Sequence, residues 1–309
     1  LDTGEGNLKL DVTPLTSSPG ALQPVALFPE LAMLESVSGS ASASNHFSWL
    51  KQGIKSGAEI NLQNLSFTQN GTTVSGLSAT LQLTDLLSPR SLPQQKITIQ
   101  RIDPGVLMEN MEIIYKIQGT DSTQLAIDKA QLSMIGGTLS TGPTVIDPLS
   151  SSTDVVFQVT DLDLEALFKL IDVEGLAGGG RLDGSIPLTL REDSVSIQDG
   201  VLAAKQPGIL RFKSEKVSKL LAGSAEDVDL LLQALTEFHY SELTFKLNNS
   251  ANNDLLTTLS LLGHNPNVLE GRLFRLNINL ESNISDVLKA LSQAYGVSSR
   301  ALQRAFRLH

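Results

Sequence analysis

Three groups of residues in this sequence are of types that could do chemistry. Asp161, Asp163 and Glu165 alternate like the opening of a calcium loop, and Asp172 falls at the twelfth position, where such a loop carries its last ligand. The sixth position needs glycine for a sharp turn but holds Ala166, and Leu164, Leu167, Phe168 and Ile171 fill the interval at helical spacing. Helix capping by Asp161 or Asp163, with Gly175 closing the helix, accounts for these carboxylates. The run from Gly178 to Gly184 is glycine-rich, as phosphate loops are. It lacks the Lys-Ser/Thr ending of a P-loop and the spacing of a dinucleotide fingerprint, and so reads as a flexible turn into a strand. Histidines stand at positions 46, 239, 264 and 309, too far apart in sequence for a metal pair; His239, between Phe238 and Tyr240 at a helix-to-strand junction, is expected to be structural. There is no Gly-x-Ser-x-Gly elbow, and with no cysteine there are no thiolate nucleophiles, thiolate metal sites or disulfides. The expectation is a protein that is not an enzyme and carries no metal and no cofactor.

What the sequence does contain is strands. Leu77, Ala79, Leu81 and Leu83 share one face while Ser78, Thr80, Gln82 and Thr84 share the other, and Met111, Ile113, Tyr115 and Ile117 repeat this against Glu112, Lys116 and Gln118. Val155, Phe157 and Val159 continue the pattern, as do Leu243, Phe245 and Leu247, and then Phe274, Leu276, Ile278 and Leu280. A period of two gives a sheet with one apolar and one wet face. Turn signals stand at Asn70-Gly71, Asp103-Pro104-Gly105 and Gly136-Gly137. A strand ending in Leu83-Thr84-Asp85-Leu86-Leu87 is echoed by Val159-Thr160-Asp161-Leu162, a weak internal repeat.

Residues 1–58 read as a mixed segment, with a strand at Leu8, Leu10 and Val12 and short helices around Phe28 to Leu34 and His46 to Ile54; residues 59–309 read as strands with a helical end, the whole as one extended unit. Besides the helix after Asp163, helices are expected from Ser214 through Leu221, from Ser224 through Phe238, and from Ser282 through Phe306. The fold class is mainly β: a long antiparallel sheet with a few short amphipathic helices.

Composition narrows the partners. With 309 residues and 41% hydrophobic content the chain can bury a substantial core, while a net charge of -10 and 5% aromatic residues offer neither a phosphate-neutralising surface nor a base-stacking platform, so nucleic acid is excluded as a partner. No stretch reaches the roughly 20 apolar residues needed to cross a bilayer as a helix. Because the chain begins at Leu1, an anchor or targeting segment is expected upstream.

A succession of short motifs adds a resemblance. Asp183-Gly184-Ser185-Ile186-Pro187-Leu188, Asp199-Gly200-Val201-Leu202 and Pro207-Gly208-Ile209-Leu210-Arg211-Phe212 are followed by Phe238-His239-Tyr240, Leu262-Gly263-His264-Asn265-Pro266 and the stretch from Leu276 to Ile284. Their order and spacing resemble the C-terminal region of the YdbH family, AsmA-like envelope proteins related to TamB. The loop from Asn248 to Asp254 departs from the tight glycine turn of that pattern. The resemblance implies a curved, taco-like sheet with an apolar groove and an inner-membrane anchor. It also implies phospholipid movement through the periplasm between the two membranes of Gram-negative bacteria, and a small outer-membrane lipoprotein that continues the sheet.

On that reading the acyl chains lie on Leu81, Leu83, Ile113, Tyr115, Ile117, Phe157, Val159, Phe245 and Leu247. A partner strand would add to the last edge, carrying Phe274, Leu276, Asn277, Ile278, Asn279 and Leu280. The competing reading is a structural envelope scaffold whose apolar face is filled by its own side chains. Alternation alone fits both.

Overall fold

A computed structural model describes residues 4–104, 106–119, 123–147, 149–171, 175–191, 194–213, 226–249 and 254–283. Among the described residues nineteen strands form one antiparallel sheet that is not closed. The first half holds β1 (Gly6–Ser17), β2 (Glu35–Leu50), β3 (Gly53–Gln69), β4 (Thr72–Asp85), β5 (Arg90–Ser91), β6 (Gln95–Asp103), β7 (Met108–Gln118), β8 (Gln124–Met134), β9 (Gly137–Thr141) and β10 (Thr144–Ile146). The second half holds β11 (Thr153–Asp163), β12 (Leu176–Gly178), β13 (Arg181–Leu190), β14 (Val195–Ile197), β15 (Gly200–Ala204), β16 (Gly208–Phe212), β17 (Phe238–Asn249), β18 (Asp254–His264) and β19 (Phe274–Asn283). Helix α1 (Leu164–Ile171) follows β11, and α2 (Glu226–Leu235) precedes β17.

The sheet is a meander in which the chain turns back at each end and pairs with the row just laid down. Short segments share rows: β5 with β6 beside β4, β9 with β10 beside β8, and β14 with β15 beside β13, while β16 lies between β12 and β17. One break has a clear cause. Pro187, in the middle of β13, has no N–H to give, and the neighbouring row is interrupted opposite it between β14 and β15. The turn at Asn70-Gly71 has both residues at positive φ (50° and 80°), which matches the twist of a two-residue hairpin.

The region read as a short helix from His46 to Ile54 is instead the end of β2 and the start of β3, paired from Glu35↔Thr68 to Leu50↔Gly53. Its apolar face carries Gly39, Ala41, Ala43 and Asn45 before Phe47 and Trp49, so the period of two is present but its side chains are too small to stand out. Between β1 and β2 the expected helix near Phe28 is reduced to two 3₁₀ turns, Pro24–Ala26 and Pro29–Leu31. The last strand starts at Phe274 and runs through Asn283, so no helix begins at Ser282; the rest of that expected helix, and the one from Ser214, lie outside the described residues. The two similar Asp motifs differ in structure. Asp85 accepts from the N–H groups of Leu87 and Ser88 in a turn, whereas Asp161 sits in a bulge within β11 at φ 56°.

Candidate functional site

Register places every apolar row on one face. Across the first half the Cα partners run Leu62, Ala79, Ile97, Ile113, Ala130 and Thr141; across the second they run Leu139, Val159, Gly184, Leu202, Phe245, Leu259 and Ile278. Leu132 on β8 faces Leu139 on β9 and joins the two series. The opposite face is polar, with pairs such as Lys96 and Glu112, and Thr80 with Asn61.

The face is not covered evenly. On β1, Leu8, Leu10 and Val12 are 45%, 49% and 44% exposed. Leu81, Leu83, Ile97 and Ile113 are half-buried. From β11 to β18 the same face is a closed core, with Leu182, Leu202, Phe245 and Leu259 at 0–1% exposure. The difference comes from the helices. Asp163 caps α1, its Oδ1 accepting from the N–H of Ala166, and the amphipathic helix lays Leu164 and Phe168 on the sheet, Phe168 meeting Phe245 edge-on with centroids 6.0 Å apart. Leu235 of α2 joins the same cluster, and Phe238 contacts Phe274 at 5.3 Å.

Beneath α1 the packing leaves a partly enclosed cavity of about 170 Å³. Leu167 and Leu170 roof it, and Met108 and Met134 face it from the open side. Four of the expected lipid-contacting residues, Phe157, Val159, Phe245 and Leu247, line it. The other five are on the more open stretch of the same face, where Leu81, Leu83 and Ile113 are half-buried while Tyr115 and Ile117 are nearly covered. Burial raises the Tyr115 phenol above its ordinary pKa, so it remains neutral.

Of the residues that suggested chemistry, Asp172 and His309 lie outside the described residues, and several of the others have structural partners. Asp161 pairs with Lys205 at 2.7 Å, and that hydrogen bond holds its carboxyl below the usual range; Lys205 also reaches Asp183 at 3.3 Å. The glycine run makes room for Tyr240, whose hydroxyl donates to the Gly179 carbonyl at 2.9 Å and would collide with a Cβ at Gly180 or Gly208. The sheet register brings His239 and His264 together, ring centroids 5.6 Å apart, a cross-strand pairing that their distance in sequence hid. Among the described residues no group of three or more His, Cys, Asp or Glu could hold a metal ion.

At the far side, β19 pairs with β18 and with no other described strand. Phe274, Leu276 and Ile278 continue the apolar face, and Leu280 is placed by its Cα partner Thr257. Asn277 and Asn279 lie on the polar face, where their Oδ1 atoms accept from Ser260 at 2.7 Å and Thr258 at 3.0 Å.

The described residues form an open antiparallel meander whose apolar rows share one face. The sequence model of the YdbH-like family, described as "Intermembrane phospholipid transport protein YdbH", matches residues 1–305, and the chain belongs to that family. Such a family places the chain in the cell envelope. No curated protein and no solved structure matches the chain. No described helix is long and apolar enough to cross a membrane.

Proposed function

We propose that this chain is a section of a lipid bridge, with phospholipid acyl chains lying in a groove formed by the apolar face and the headgroup left towards water. The carrying observation is the apolar face from β1 to β8, which is exposed at Leu8, Leu10 and Val12 and half-buried at Leu81, Leu83, Ile97 and Ile113. Transferring two acyl chains of about 15 carbons through water would expose methylenes at roughly 0.8 kcal/mol each, a total above roughly 20 kcal/mol. A continuous apolar lining removes that cost at every step. The contacts would be Leu81, Leu83, Ile113, Tyr115 and Ile117 along the open stretch, then Phe157, Val159, Phe245 and Leu247.

An inner-membrane anchor upstream and a lipoprotein strand added at β19 complete the bridge on this reading. The strand count supports a need for extension, since about 15 rows at about 4.8 Å span only about 70 Å. The scaffold reading is favoured for one part alone, β11 to β18, where the protein's own side chains fill most of the core.

Denaturing mass spectrometry of the purified chain tests the proposal. Phospholipid co-purifying at about one molecule per chain or more supports it. A chain free of lipid, purified under conditions that retain lipid on a control carrier, contradicts it.

A further inference from the structure

The cavity under α1 contains one chemical irregularity. Thr257 lies on the apolar face of β18 between Leu247 and Leu280, lines the cavity and is 4% exposed, yet its hydroxyl is buried with no hydrogen-bond partner. A buried hydroxyl without a partner is costly, and valine would fill the same volume without that cost. Among the described residues the cavity lining is otherwise apolar, with Leu202, Phe245, Leu247 and Leu255 on it and Leu247 the Cα partner of Thr257.

The geometry points to this cavity as a binding chamber for the carbonyl-bearing end of an acyl chain, whose carbonyl oxygen accepts the Thr257 hydroxyl proton as a hydrogen bond; at about 170 Å³ it holds part of such a chain, and the rest leaves through its open side. Rotation about χ1 exchanges the hydroxyl with the methyl group, so a side chain that lines the chamber can present either to it. The occupant must be hydrocarbon over most of its length, because among the described residues no cationic side chain lines the chamber to hold a phosphate and Met108, Met134, Leu167 and Leu170 offer apolar contact. It must also carry an acceptor that needs no charge. An acyl ester or a protonated fatty acid has both properties. This rests on the lipid reading above and deepens it: the open face would pass lipid along, while the chamber retains a chain.

The test compares methyl laurate with pentadecane, which have equal numbers of heavy atoms, on the full chain and on Thr257→Val and Thr257→Ser, by displacement of a fluorescent fatty-acid probe. Thr257→Val is expected to weaken methyl laurate roughly fivefold, the loss of about one hydrogen bond, and to leave pentadecane unchanged; Thr257→Ser retains the ester. The melting temperature of the empty Thr257→Val chain should be equal or higher, which excludes misfolding as the cause. Tighter binding of methyl laurate than of lauric acid assigns the carbonyl to a lipid ester and the reverse order to a free acid; either supports the chamber. Equal loss of ester and alkane in Thr257→Val, or no loss of ester, overturns it. Lipid crosslinks at Leu83 and Ile113 report on the open face separately, so their presence with an inert Thr257 sinks only this inference.

Discussion

Truncating leucines at two places on the same apolar face separates a groove from a packed core. Leu259 is fully buried, with Phe245 and Ile278 as Cα partners and α1 over the same cluster, so Leu259→Ala leaves a cavity that the surroundings cannot close. Losses of about 2–5 kcal/mol are typical there. Leu81 is half-buried, with Ile60 beside it on β3. Leu81→Ala therefore gives up part of one side chain's burial, about 1 kcal/mol, and leaves no enclosed void. Urea unfolding of both variants, followed by circular dichroism, reads the difference as midpoint shifts at similar slope. Leu81→Asp extends the comparison: the half-exposed carboxylate can stay hydrated, so the chain should fold, while lipid co-purification falls. If Leu81→Ala costs about 3 kcal/mol or more, the face at β4 is a packed interior and the groove is wrong.

Other expected outcomes follow from single contacts. Gly184→Ala should destabilise by about 1–3 kcal/mol, because the added Cβ would strike the Val201 carbonyl oxygen in the β13–β15 pairing; an unchanged urea midpoint would contradict that register. Tyr240→Phe should cost about 1 kcal/mol through loss of the hydrogen bond to Gly179, again by urea midpoint. Asp161, whose carboxyl is lowered by its bond to Lys205, contributes stability that is present above the carboxyl's unfolded pKa and lost as pH falls through the folded one; Lys205→Met should move its NMR titration up towards the ordinary range. At the free edge, alternate residues of β19 point their N–H away from β18, so of Asn277→Pro and Ile278→Pro one should disrupt the hairpin and the other should fold but lose strand addition by a partner, measured by pull-down with the lipoprotein.

The rows with large apolar residues were legible in the sequence because Leu81, Ile113, Phe157, Phe245 and Ile278 contrast sharply with their polar neighbours. β2 was not, since glycine and alanine carry little hydropathy signal although they occupy the apolar side of the pleat. Short segments such as β5, β10 and β14 share rows with longer ones and are set by partners distant in sequence. The division into an open stretch and a closed core was equally hidden. Leu81 and Leu243 sit in similar alternation, and what distinguishes them is where α1 and α2 land on the sheet. Thr257 looked like any polar residue in a strand until register placed it among Leu247, Leu259 and Phe245.

Photo-crosslinking amino acids at Leu83, Ile113 and Ile117, in cells with labelled phospholipid, test directly whether lipid travels on this face, with Gln82, Glu112 and Lys116 on the polar face as controls. Lipid adducts are expected at the three apolar positions and none at the controls. No adducts at any of the three, in a chain that folds and is present at normal levels, would contradict lipid travel on this face.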